Sequence, residues 1–186
     1  MPVPGFVFNF NMNYQEELKK AMVMLSKHPD TIFIGQAVCY PGTGLYESFI
    51  DVPENKKYEM PVAENLQMGI STGLALTGKI PVSIYPRWNF LISATDQIIN
   101  HLDKLPLISN YSMIPKVIIR VAVGSTNPID PQDQHKGDFT EAFRSMISTL
   151  NIIKLSTPEV IMESYKYALE GTHYSSILVE YPDYGK

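Results

Sequence analysis

Along the chain, apolar positions recur with a helical period in some stretches and a strand period in others, and the two kinds alternate. Leu18, Ala21, Met22 and Leu25 share one face of a helix predicted over 13–27, with Asn13 placed to cap it and Pro29-Asp30 to stop it. A β-rich run follows over 31–35. Residues 36–56 hold the breakers Pro41, Gly42, Gly44 and Pro53 and are predicted to be irregular. A brief strand over 57–60 ends at Pro61, a helix covers 64–78, a strand 80–85 and a long helix 89–107. The run Lys116 to Val123 is nearly continuous β-branched sequence, as in a strand buried on both faces of a parallel sheet. After a polar loop over 124–138 come a helix (139–148), a strand (152–155), a helix opening on Pro158 (158–170) and a last strand (176–180). This alternation predicts the α/β class: an open, mostly parallel sheet with helices on both faces.

Length and composition narrow the picture. A chain of 186 residues fits one domain, expected over 13–186 and preceded by an arm over 1–12. The arm opens on Pro2-Val3-Pro4-Gly5, and its Phe6, Val7, Phe8 and Phe10 would have to pack on the body or on a partner. Hydrophobic content of 45% suits a globular core. A net charge of −4 offers no basic field for tracking phosphates, so nucleic acid is not an expected partner. No run approaches the roughly 18–20 apolar residues of a spanning helix, and no basic leader opens the chain, so neither a membrane nor export is expected. Cys39 is the single cysteine, which excludes an internal disulfide framework and a multi-cysteine metal site. A cytoplasmic protein with a reduced thiol is the expectation.

Several residues could carry chemistry. The helix beginning at Glu64 holds Gly69 and Gly73 four apart on one face, where each interior glycine costs roughly 1 kcal/mol against alanine; a closely packed neighbour would compensate. Glu64 itself reads as a first-turn acid favoured by the helix dipole. The run Tyr85-Pro86-Arg87-Trp88-Asn89-Phe90 leaves a strand and opens a helix, where ligands bind in open α/β sheets; its aromatics suit either stacking on a flat ring or packing. His135 lies in the polar loop after the most buried-looking strand, which favours a functional place. No two histidines, nor a histidine and Cys39, have metal-ligand spacing, and Cys39 has no base beside it in the sequence. Gly-x-Gly-x-x-Gly, the phosphate-binding Gly-x-x-x-x-Gly-Lys-Ser/Thr and Gly-x-Ser-x-Gly are all absent.

Taken together, Pro61-Val62-Ala63-Glu64-Asn65, the run Gly69 to Val82, Trp88-Asn89-Phe90, Asp96-Gln97-Ile98-Ile99-Asn100, Gln134-His135 and Ser156-Thr157-Pro158 resemble the pyrimidine-binding domain of transketolase-like thiamine diphosphate enzymes. The likeness is nearest to the beta subunit of 2-oxoacid dehydrogenases and covers residues 13–181. It implies the thiamine diphosphate-binding fold. It also implies that Glu64 hydrogen-bonds N1′ of the aminopyrimidine, that Phe90 and Trp88 help hold the cofactor, and that His135 faces the substrate, orienting or protonating it. The substrate implied is a small 2-oxo acid or ketose, undergoing decarboxylation or two-carbon transfer.

The sequence also departs from that family. No Gly-Asp-Gly is present, so Mg²⁺ and the diphosphate are expected to be held by a partner chain, within a homodimer or heterotetramer. Beta subunits continue into a further domain where this sequence ends at Lys186. Tyr85-Pro86-Arg87-Trp88 replaces small or apolar residues, and Arg87 could meet an anionic substrate group or serve as a surface cation. The competing expectation is a scaffold or regulatory subunit that kept the fold without the catalysis.

Overall fold

The computed structural model describes residues 13–126 and 130–185; the arm lies outside them. Six strands form one sheet in the order β2-β1-β3-β4-β6-β5. They are β1 (Thr31–Gly35), β2 (Lys57–Glu59), β3 (Ile80–Tyr85), β4 (Ile118–Ala122), β5 (Asn151–Leu155) and β6 (Ser176–Glu180). Every pairing is parallel, so the mostly parallel sheet expected is parallel throughout. The helices are α1 (Tyr14–Ser26), α2 (Gly44–Glu47), α3 (Glu64–Leu76), α4 (Trp88–Leu91), α5 (Leu105–Ile108), α6 (Thr140–Met146) and α7 (Pro158–Lys166).

Strand residues alternate between the sheet's two faces, and so do the two cores. Ile118 packs with α1 and α7 through Leu18, Met22, Ile161 and Tyr165. Ile119 and Val121 pack on the other side with Met68, Trp88, Leu91, Ile98 and Phe143. Asn13 caps α1 as expected, its Oδ1 accepting from the Gln15 and Glu16 amides at 2.9 and 3.4 Å.

The predicted long helix over 89–107 is corrected. It breaks into α4, a 3₁₀ turn (Ile92–Ala94), a π-helix (Gln97–Leu102) and α5. The wide turn, with the Asp103 amide donating to the Ile98 carbonyl at 2.9 Å, brings the Asp103 carboxylate inward. There it accepts the Ser148, Thr149 and Leu150 amides at 2.9, 2.7 and 3.1 Å and pairs with Lys104 at 2.7 Å. Pro106 then lacks an amide to continue the old ladder.

Candidate functional site

The carboxyl ends of β1, β2 and β3 build the site. At the end of β1, a Cβ on Gly35 would run into the carbonyl oxygen and Cβ of Ile84 on β3, so the close approach requires glycine. The chain then turns through Ala37 at φ +57°, a left-handed conformation that costs a non-glycine residue roughly 1–2 kcal/mol. What holds it is Glu59, the last residue of β2. Its carboxylate accepts the successive amides of Ala37, Val38 and Cys39 at 2.7, 2.8 and 2.8 Å, charge-assisted bonds that offset the strain.

That turn places Gln36, whose Nε2 donates to Glu64 Oε1 at 3.1 Å. Glu64 is the first residue of α3 and only 8% exposed. No side chain caps this helix start, so the carboxylate lies against the positive end of the helix. Among the described residues nothing donates to its other oxygen. Tyr85, at the end of β3, donates its hydroxyl to the Glu64 carbonyl at 3.3 Å, and burial pushes its phenol well above the usual range.

A second group forms where the chain leaves β3 and opens α4. The Phe90 and His135 rings lie 5.2 Å apart, tilted by 31°. Arg87 donates to the backbone carbonyls of His135 and Ser125 at 3.5 Å each. His135 Nδ1 and Asn89 Oδ1 are buried without a hydrogen-bond partner among the described residues. Buried polar atoms are nearly always partnered, so both suit a ligand atom. The structure therefore brings Phe90 and His135 together, and sets Glu64 on the same sheet edge beside Tyr85.

The structure places Trp88 apart from the pair of Phe90 and His135: its indole is fully buried and packs on Phe143 with ring centroids 4.9 Å apart, and its Nε1 has no hydrogen-bond partner among the described residues. Gln36 and Glu59 escape sequence reading altogether. Their roles depend on a positive-φ alanine and on β1 lying beside β2, neither of which leaves a local mark.

The helix that carries Glu64 buries an unusual stripe: Glu64, Gln67, Met68, Ser71 and Thr72. Gln67 Nε2 donates to the Ile84 carbonyl at 2.9 Å and to Ser83 Oγ at 3.2 Å, while Ser71 Oγ donates to the Gln67 carbonyl at 2.8 Å. Its apolar residues Leu66, Ile70 and Leu76 are exposed. A Cβ on Gly69 would sit 3.4 Å from Gln97 Oε1, which is the close neighbour expected there, whereas one on Gly73 would meet nothing within 4 Å. Among the described residues, no group of three or more His, Cys, Asp or Glu is placed to hold a metal ion.

Comparison with known proteins sets this geometry in context. The chain is 29% identical over 105 residues to the 3-methyl-2-oxobutanoate dehydrogenase subunit beta of Mycobacterium tuberculosis, a match covering 54% of this chain and 28% of that one. It is 27% identical over 137 residues to the pyruvate dehydrogenase E1 component subunit beta of Rhizobium meliloti, covering 70% and 29%. Among solved structures, a split gene transketolase, described as an inactive beta4 tetramer, superposes with a TM-score of 0.70 at 18% identity over 92% of this chain and 52% of that one. The transketolase of Campylobacter jejuni superposes with a TM-score of 0.72 at 11% identity, over 97% and 27%. No protein-family model matches the chain. The chain thus spans less than a third of the length of the curated relatives it matches. Its relatives are 2-oxoacid dehydrogenase beta subunits and its fold is shared with transketolase, as the sequence resemblance implies.

Proposed function

We propose that this chain supplies the pyrimidine-binding half of a thiamine diphosphate site shared between chains, acting on a 2-oxo acid or a ketose. The observation that carries this reading is Glu64. It is a nearly buried carboxylate at a helix start on the sheet's carboxyl edge, with one oxygen held by Gln36 and the other unclaimed by the described residues. That donor set fits an aminopyrimidine. Among the described residues no group of three or more His, Cys, Asp or Glu could hold the metal, and a partner chain would hold it together with the diphosphate.

Thiamine diphosphate, when bound, supplies a carbon nucleophile and an electron sink for breaking a bond beside a carbonyl. Within this chain, Glu64 would hold or accept a proton at its unclaimed oxygen, with Gln36 fixing the carboxyl plane. Phe90 offers a ring face to the pyrimidine. His135, with Nδ1 unclaimed, would orient or protonate the substrate. The exposed Leu66, Ile70 and Leu76 of α3 give a partner or a second copy an apolar surface to cover. The split gene transketolase, whose beta chain alone forms an inactive tetramer, is the precedent for dependence on a partner.

The test is reconstitution. The chain is mixed with a neighbour-encoded candidate chain bearing Gly-Asp-Gly, and turnover of 2-oxo acids and ketoses is measured with thiamine diphosphate and Mg²⁺. Turnover in the mixture and none with either chain alone supports the reading. A stable complex without turnover on either substrate class favours the scaffold subunit instead.

A further inference from the structure

We infer that a cavity on the α1 side of the sheet's carboxyl edge is a second binding site, for the carboxylate of a small organic acid. The cavity measures about 410 Å³, within the range of small-molecule pockets. Leu18, Leu45 and Ala122 give it an apolar wall, while Arg87 reaches it from the turn after β3, and Arg120 and Glu180 from β4 and β6. It lies across the sheet from α3, so it is separate from the Glu64 carboxylate.

Arg120 makes this a built site. It is only 2% exposed, at the centre of a parallel sheet, where a charge is costly unless held on all sides. Its Nε and Nη2 donate to the Glu180 carboxylate at 2.6 and 3.1 Å, and its Nη1 to Ser48 Oγ at 2.7 Å. Tyr165 donates to Glu180 at 2.7 Å, and the guanidinium stacks 5.0 Å from the Phe49 ring. These contacts fix the guanidinium plane and engage three of its five N–H groups, leaving donors for a guest.

Arg87 supplies the charge. Its two bonds to carbonyls are both at 3.5 Å, the weak limit of a hydrogen bond. Among the described residues no carboxylate pairs with it. Glu180 is already claimed by Arg120 and Tyr165, and Glu47 at the mouth is exposed to water. Arg87 thus lines the cavity without a carboxylate partner among the described residues, and with Arg120 it offers guanidinium donors that suit a planar carboxylate. The apolar wall suits a short carbon tail. A second carboxylate on the guest would meet Glu180 or Glu47, so monocarboxylates are selected.

The experiment is calorimetric titration of propionate and pyruvate into the full chain, with propionamide as the neutral control. Saturable binding of the acids, with the amide at least about tenfold weaker, is expected. Arg87→Gln should weaken the acids about tenfold or more. Ala122→Leu, which fills the cavity from β4, should abolish binding, with unchanged melting temperature showing that the fold survives. Glu64→Ala should leave binding as it is. Absence of saturable binding into the tens of millimolar, equal affinity in Arg87→Gln and Ala122→Leu, or loss in Glu64→Ala would each overturn the inference. The last would locate the anion at the Glu64 edge, leaving the reading of that edge intact.

Discussion

Helices α1 and α3 are both 13 residues long and both pack on the same sheet, yet they bury opposite chemistry. The buried face of α1 is largely apolar: Tyr14, Leu18, Ala21, Met22 and Leu25 are all close to fully buried. On α3 the inward stripe is Glu64, Gln67, Ser71 and Thr72 around Met68, while Leu66, Ile70 and Leu76 look outward. The first helix gains stability in the ordinary way, by removing apolar surface from water. The second spends part of its contact with the sheet on hydrogen bonds, whose net contribution is smaller, about 0.5–1.5 kcal/mol each. That trade is intelligible if α3 exists to hold a carboxylate at its first turn and to offer its outer face to another surface.

The contrast can be broken in several ways. The largest effect is expected at Glu64. Glu64→Ala should lower turnover of the reconstituted pair by about 10²–10⁴, with the chain's thermal melting little changed; near-normal turnover would remove the functional half of the contrast. On α1 the reverse should hold. Leu18→Ala should cost about 2–5 kcal/mol in denaturant unfolding while leaving cofactor affinity of the folded pair untouched.

Asp103 sharpens the picture by showing what a purely structural buried carboxylate does. Burial opposes its ionisation, but Lys104 and the amides of Ser148, Thr149 and Leu150 outweigh that and hold the carboxyl below its ordinary value. A carboxyl depressed in the folded state contributes stability above its unfolded value of about 3.9 and loses it as pH falls through the folded one. Asp103→Ala should therefore cost about 3 kcal/mol near neutrality, and the gap to wild type should shrink below about pH 4. A gap independent of pH would show that the carboxylate's charge is not what matters. The smallest effect belongs to the outer face of α3. Leu66→Ser with Ile70→Ser should change the isolated chain's stability within about 0.5 kcal/mol each, yet weaken assembly with the partner in analytical ultracentrifugation. A large loss of stability in the isolated chain would mean that this face is already covered from within.

Much of this fold is legible in the sequence because its strands are short apolar runs bounded by breakers. Strands β1, β3 and β6 fall where the pattern puts them. The helix over 89–107 defeats the pattern because its apolar spacing stays helical through the π-turn, and only the tertiary acceptor role of Asp103 reveals the break. The site divides the same way. Glu64, Phe90 and His135 could be singled out by position and by resemblance. Trp88 could not be separated from them, since an aromatic beside a strand end reads alike whether it faces core or edge. Gln36 and Glu59 were invisible because their geometry arises between strands distant in sequence.

The central claim is that Glu64 is a cofactor-binding carboxylate and not merely a first-turn acid. It is tested most directly by calorimetric titration of thiamine diphosphate with Mg²⁺ into the chain mixed with its Gly-Asp-Gly partner, for wild type and for Glu64→Ala. Saturable binding by the wild-type mixture that is lost in the Glu64→Ala mixture, with the complex still assembled, is the predicted result. Equal binding in both would contradict it and return Glu64 to an ordinary helix-start role.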